Sequence, residues 1–494
     1  MMNKAFLIIS SLLFSSFLGA QTLYVPANAS ITTGNGASII SGGEIENRGE
    51  IFINSNGSLT SNQNIINPGR ITIGNAASFN SVFELENSGT IELRPESDAN
   101  IMGELINNGT IDLLENGLLN IGGDASNLSV IRNLGTIRLQ ANWDNQATYE
   151  GLNGNMEFAS GSDQLIFNES IQFNRLIVNS GGTVTLSGNT AEVKTELAFE
   201  DGILTTSPDT RFVVDNSSQV TGGSDFSYFE GSLILEGGPE DPDDNDTETK
   251  YFPVGKDGRF NPLTLQEIRH EDFYEIGVEL FTPNTTPPTP GEGVIGISEN
   301  SVWKLDLLTG EVDSAKVFID FMGENLDEES FTNSNEINAD IKRPVVTYAD
   351  GPDSIWYSLG AAEYFGDSLT LGMILSEQSL FFDVPEKYVA IGLAAKIPDE
   401  TIIYIPEVFA PGDFREANQE FKIFGENISG DNFKLIIVNR FNNIMYETTN
   451  FEEHGWDGTF NGIEQPAGIY YYELTYQDKD GNIEPREGFI YLVR

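Results

Sequence analysis

Ile45-Glu46-Asn47-Arg48-Gly49-Glu50-Ile51-Phe52-Ile53 decides the fold: every second residue is apolar, amide or glycine, and most residues between are polar. The same series returns 20 residues later as Ile65, Asn67, Gly69, Ile71 and Ile73. It returns again as Leu85, Asn87, Gly89, Ile91 and Leu93, and as Leu105, Asn107, Gly109, Ile111 and Leu113. A fifth copy, Ile131, Asn133, Gly135, Ile137 and Leu139, is read after an insertion of six. Alternation with period two marks a strand with one face buried. A second apolar position recurs at Ile39, Leu59, Phe79 and Leu119, with Ala99 and Ile101 in the weaker place. Each unit therefore holds at least two short strands, separated by turn residues such as Asn56-Gly57 and Asn116-Gly117.

One such unit cannot bury its apolar side alone, whereas stacked units can. A fixed period near 20 residues predicts a β-solenoid whose coils pair as parallel strands about 4.8 Å apart. Strict register sets Ile on Ile inside, Asn on Asn in a ladder, and Gly on Gly at a bend. The columns Asn47, Asn67, Asn87, Asn107, Asn133 and Gly49, Gly69, Gly89, Gly109, Gly135 are therefore read as structural rather than as a ligand-binding row. Ile31 keeps the register one unit earlier, but Ala27 and Ala29 replace Asn and Gly, as an atypical capping coil would.

The fold class expected is all-β, with the solenoid regular over 21–140 and continuing irregularly over 141–238. An acidic stretch, 239–250, follows; Asp241, Asp243, Asn245 and Asp246 give it hard oxygen ligands at alternating spacing. It is read as a solvated linker or loop. The alternative, a calcium loop, lacks the central glycine and the distal bidentate Glu at the usual offsets. Residues 251–397 carry short alternating strands of a β-sandwich, with Trp303 and Trp356 as core anchors and sugar-stacking tryptophans as the sharper alternative. A further sandwich occupies 402–494.

Residues 1–20 have the build of a secretory signal peptide: Lys4, an apolar stretch from Ala5 to Leu18, then Gly19-Ala20. No later segment reaches the roughly 18 apolar residues of a membrane-spanning helix. The chain has no cysteine, which excludes disulfides, thiolate metal sites and a lipidated cysteine. With 26 Lys and Arg against 75 Asp and Glu, its formal charge is −49, and nucleic acid is excluded as a partner by repulsion from phosphates.

The tail holds several separate motifs. These are Phe409-Ala410-Pro411, Phe421-Lys422-Ile423, Asn439-Arg440-Phe441, Tyr446-Glu447-Thr448, Trp456-Asp457-Gly458-Thr459-Phe460-Asn461-Gly462, Pro466-Ala467-Gly468-Ile469-Tyr470, and the end at Arg494. Over about 90 residues it resembles the gliding motility-associated C-terminal domain family, the second kind of sorting domain of the type IX secretion system of Bacteroidetes. The turns at Asp457-Gly458 and Pro466 to Gly468 and the alternation over Tyr470 to Tyr476 read as a small seven-strand Ig-like sandwich. The resemblance implies recognition by the outer-membrane translocon and, as is frequent in the family, a dedicated outer-membrane barrel partner encoded nearby. The chain would then be a secreted protein, at the cell surface or outside the cell. Carried over by motif, the sorting residues are Asn439, Arg440, Trp456, Asp457, Gly458, Pro466, Gly468, Tyr470 and Arg494. The chain departs from the family at Gly412 to Gln419, where the family shows an Asn-Gly-Asp-Gly-x-Asn-Asp run.

Catalytic machinery is not evident in the sequence. His270 lies in Arg269-His270-Glu271-Asp272 and His454 in another domain, so neither a Ser-His-Asp set nor a zinc site is composed. The function expected is a surface or extracellular structural protein of adhesin type, with no enzyme activity and no cofactor, touching a surface glycan or protein ligand. The alternative is a carbohydrate-binding or polysaccharide-degrading solenoid, which could work with carboxylate pairs alone.

Overall fold

A computed structural model describes residues 5–9, 22–238, 248–282, 289–320, 342–351, 354–366, 372–395, 402–412, 418–426, 428–451, 455–478 and 482–494. Among them there is no α-helix. The chain forms two compact units, one of 1–282, 303–315 and 381–387, the other of 283–302, 316–380 and 388–494. The expected 251–397 sandwich is thus divided between the two. Of the expected leader, only Ala5–Ile9 is described, as a strand parallel to Ala29–Thr33.

The first unit is built on a parallel β-solenoid of about 11 turns. Each regular coil carries three strands, as in Ser58–Ser61, Ile65–Asn67 and Arg70–Ile73. The alternating run at 45–53 is therefore two strands, Ile45–Asn47 and Glu50–Ile53, joined across a bend at Arg48-Gly49. Alternation survives the bend because Gly49 also faces inward. Like stacks on like: Ile51, Ile71, Ile91, Ile111 and Ile131 pair in one ladder, and Leu59, Phe79, Ala99 and Leu119 in another. These residues are buried, and the varied sizes in the second ladder show that coils tolerate different volumes at that strand position.

Glycine is required at the bend by close approach. A Cβ on Gly89 would overlap the carbonyl oxygen of Gly69, and one on Gly109 that of Gly89. The next corner instead needs a left-handed residue, at Asn56, Ala76, Glu96 and Asn116 with φ between 53° and 62°. Asn suits that conformation and Ala does not. Ala76→Gly is therefore expected to stabilise the solenoid by about 0.5–1 kcal/mol, read as a higher urea midpoint, since relief of strain exceeds the entropy that glycine adds to the unfolded chain. An unchanged or lower midpoint would refute this.

The fifth copy of the repeat lies elsewhere than the sequence spacing suggested. Asn107 pairs with Asn127, and Leu113 pairs with Asn133. The coil keeps its 20-residue length up to that point; then the turn Leu114 to Gly117 is cut to Leu134-Gly135, so that Leu119 meets Ile137, a step of 18. Gly135 accordingly packs on Gly117, at a different corner from Gly109. The correction is one of register: a shortened turn, with no insertion of six.

The C-terminal end of the stack is modified. From Gln164 to Thr206 the coils grow less regular while staying parallel, and the last solenoid strand, Leu233–Gly237, is covered by Tyr274–Phe281 running antiparallel. An antiparallel neighbour ends the parallel stack and protects its edge. In the same unit Trp303 is fully buried and donates its indole N–H to the Asn261 carbonyl at 2.8 Å. In the second unit Trp356 is fully buried among Val294, Ile297, Val302, Ala349 and Ala390. Complete burial leaves neither tryptophan a face for a sugar.

Residues 402–494 fold as a five-stranded sheet ordered Val408–Phe409, Ile483–Leu492, Gly468–Gln477, Ser429–Val438, Ile444–Thr448. Two short ribbons, Ile402–Tyr404 with Phe424–Glu426 and Thr459–Phe460 with Ile463–Glu464, complete it. Its own core holds Phe409, Phe421, Leu435, Trp456, Leu474 and Ile490.

Candidate functional site

In the C-terminal domain, turn residues and core aromatics converge. Trp456 is buried, meets Tyr470 edge-on at 4.8 Å and Phe409 at 5.4 Å, and donates its indole N–H to the Thr459 carbonyl at 2.7 Å. Asp457 accepts the Thr459 N–H at 2.9 Å, which closes the turn, and Gly458 supplies φ +74°. A Cβ there would press on Leu492, Pro411 and Arg494. The Tyr470 hydroxyl donates to the Pro466 carbonyl at 2.8 Å, and burial pushes its pKa up. Arg494 donates to the Gly458 and Gln465 carbonyls at 2.9 and 3.0 Å and lies 3.3 Å from Glu464. Trp456, Asp457, Gly458, Pro466, Tyr470 and Arg494 thus form one contiguous cluster, and Gly468, at φ +147°, opens the strand that bears Tyr470.

Asn439 and Arg440 sit on the hairpin between Ser429–Val438 and Ile444–Thr448. The Asn439 side chain accepts the N–H groups of Phe441 and Asn443 at 2.9 and 3.1 Å and so shapes the turn. The Arg440 guanidinium lies over the Phe441 ring at 4.9 Å. Its charge also reaches Tyr470, whose phenolate it favours. The motif residues are chiefly architectural: they set turns and a core. The departure at 412–419 falls largely outside the described residues.

In the solenoid, the amide column is a continuous hydrogen-bonded chain. Asn47 donates to Asn67 at 2.7 Å; Asn67, Asn87 and Asn107 each donate to the next at 2.8 Å; Asn127 donates to Asn145 at 2.6 Å. The other amide hydrogen goes to a backbone carbonyl one coil on, those of Arg70, Thr90, Thr110, Val130 and Thr148. Asn is needed because an inward corner position must supply two donors and an acceptor inside a sealed core. Asn133 serves differently: it donates to Asn155 O and to Tyr149 Oη, and accepts Gly135 N–H at 3.0 Å. Burial pushes the Tyr149 phenol up to about 12.

Spacing alone did not reveal Asn127 and Asn145, because Ala125 and Trp143 stand where Leu or Ile precedes the other rungs. A second, outward amide row runs through Asn80, Asn100 and Asn120. Period 20 with outward parity was its signal.

The acidic candidates Asp241, Asp243, Asn245 and Asp246 lie outside the described residues, as does His454. Another carboxylate set, on successive irregular coils, escaped sequence reading. Glu192, Asp215 and Glu236 bring oxygens within 4.8 Å of one another, half-buried. The Lys194 ammonium sits among them, donating to Glu192 and to Asp215, the latter at 3.0 Å. This cation is the resident counter-charge. Burial and then the charges of Asp215, Glu192 and Glu275 push the Glu236 carboxyl up. Its ionised form is therefore the costly one, with the cost absent below the ordinary carboxylate pKa and growing as pH rises through the raised value. Glu236→Gln is expected to raise stability by about 0.5 kcal/mol near pH 7, solvent screening included, and by nothing near pH 4. Urea midpoints at the two pH values check this; an equal effect at both would sink it.

Near the end of the regular coils, a groove of about 570 Å³ is bordered by Glu104, Asp124, Asp144, Leu165 and Phe167. One carboxylate oxygen of Asp144 is buried there without a hydrogen-bond partner. The His270 ring lies tilted against Tyr274, centroids 5.0 Å apart, and 3.9 Å from Glu248, and the Tyr274 hydroxyl donates to Glu248 at 2.5 Å.

Residues 403–492 match the CHU_C type IX secretion signal domain. No curated protein matches the chain. Among solved structures, dimeric latent PorU from Porphyromonas gingivalis is similar at 12% identity and a TM-score of 0.16, over 48% of this chain and 24% of that one. The chain spans about a quarter of that protein's length, and likeness at this level supports no argument.

Proposed function

We propose that this chain, marked by its C-terminal type IX secretion signal for export across the outer membrane to the cell surface or extracellular space, works there as a non-catalytic adhesive or load-carrying rod. The observation that supports the reading is the amide ladder. It adds a buried line of side-chain hydrogen bonds along the solenoid axis, parallel to the strand-to-strand bonds, and such cooperative networks stiffen what they join. The dedicated barrel partner in the outer membrane belongs to the same proposal. The test is a strain that carries the chain without residues 45–145 but with the C-terminal domain intact. Export should continue while attachment of cells to a surface, or cohesion between cells, falls to the level of a strain lacking the protein; attachment at the parental level would refute the rod.

A second reading, glycan binding, is favoured by the groove beside Glu104, Asp124 and Asp144, since carboxylates with a flanking aromatic such as Phe167 suit sugar hydroxyls and ring faces. Glycan-array binding and release of reducing sugar separate the two. Silence in both eliminates the second reading, and sugar release would turn the protein into a polysaccharide-degrading enzyme.

A further inference from the structure

An antiparallel sheet with one face on a core ordinarily turns polar residues outward. The five-stranded sheet of the C-terminal domain, antiparallel but for Val408–Phe409, departs from this over two adjoining rows of its outer face. Val408, Tyr491 and Ile469 form one row across three strands, and Phe489, Tyr471, Val438 and Ile444 form the next. Val408, Ile444, Ile469, Tyr471, Phe489 and Tyr491 are each 41–52% exposed. They adjoin one another, so this is a patch and not a scatter of single surface hydrophobics. The following row changes character: Glu487, Glu473, Ile436 and Glu447 lie side by side. A concavity of about 650 Å³ lies where the rows meet, lined by Arg440, Tyr471, Phe489, Glu473 and Glu487 among others.

We propose that this outer face is the surface by which the domain is recognised during export, and that its partner is a protein of the secretion machinery offering an apolar ridge flanked by Lys or Arg. The proposal rests on the domain's being an export signal. Charge complementarity selects the occupant. A membrane surface rich in phosphate would meet Glu473 and Glu487 with like charge, and a second copy would bring together two chains of formal charge −49. A cationic protein surface meets the carboxylates favourably, while burial of Tyr471 and Phe489 supplies the anchor expected of aromatic residues at the centre of an interface. None of these side chains belongs to the core that holds the domain together.

The test compares full-length variants in the native host, by protease accessibility at the surface and by immunoblotting of periplasm and medium. The double variant Tyr471→Ser/Phe489→Ser and the charge reversal Glu473→Lys/Glu487→Lys should each accumulate in the periplasm, with the exported fraction reduced about tenfold or more. Ile463→Ser, an equally apolar exposed change on the small ribbon, should export normally. The charge reversal alters only solvent-facing carboxylates and keeps the test valid if the aromatic variant unfolds, which circular dichroism of the purified chain would reveal. Parental export of both double variants, with export still abolished by loss of 402–494, would overturn the surface and leave the signal standing; export without 402–494 would overturn the signal itself. Loss of self-association, or of binding to anionic vesicles, in variants that still export would assign the face to a second copy or to lipid and refute the proposal.

Discussion

Without residues 402–494 the chain is expected to stop in the periplasm, its surface and medium fractions falling to background while the cellular pool rises. A cleavable leader of the kind expected at residues 1–20 takes a protein across the inner membrane only. Among the described residues no helix is long and apolar enough to cross a membrane. The second crossing is expected to depend on the secretion signal matched at 403–492. The signal carries its own core of Phe409, Trp456, Leu474, Ile490 and their neighbours. Immunoblots of fractionated cells, with protease shaving of the surface, give the answer, and a truncated chain found outside would refute the export route.

Asn87→Ala is expected to be the most damaging single substitution in the solenoid, at about 3 kcal/mol or more. The change removes an acceptor from Asn67 and the donors that reach Asn107 and the Thr110 carbonyl. Asn87 is fully buried, so water cannot replace these partners. A buried polar group left without a partner costs about 1–3 kcal/mol, and here more than one is left. The outward row supplies the control. Asn100 makes comparable amide contacts to Asn80 and Asn120 at 3.2 and 3.5 Å but faces solvent, so Asn100→Ala should cost less than about 0.5 kcal/mol. Hydrogen exchange localises the effect: coils around 65–113 should lose protection in Asn87→Ala and keep it in Asn100→Ala. Equal effects at the two positions would mean that hydration, not burial, governs the ladder.

The solenoid was legible because its register repeats without error from Ile45 to Leu113, and period-two alternation specifies which side is buried. Two features escaped. The bend within 45–53 is silent, because a glycine with inward parity continues the alternation through a corner. The shift after Asn133 is silent because Asn133 and Gly135 imitate the pair Asn107 and Gly109, two apart, while occupying other corners. Only a pairing partner tells the two apart. In the tail, the motif residues could be picked out by resemblance, but not their division of labour: Trp456, Tyr470 and Arg494 hold turns and core, whereas Ile469, Tyr471, Phe489 and Tyr491, alternating with them along the strands, face outward. The carboxylates Glu192, Asp215 and Glu236 are spaced by 23 and 21 residues, a drift that hides a column from any fixed period.

The ladder has a sense: every rung gives hydrogens forward and accepts from behind. At its start, the Asn47 side-chain oxygen Oδ1 is buried without a partner, since Val25 occupies the rung before it, and at its finish the Asn145 amide turns to the Ala147 backbone carbonyl. A duplicated coil spliced between Asn47 and Asn107, where each step is 20 residues, meets the same chemistry above and below and leaves both termini untouched. Gene duplication of a 20-residue module can therefore lengthen the molecule in steps of about 4.8 Å without a compensating mutation. Reach becomes a quantity that descendants of this gene can tune by copy number alone.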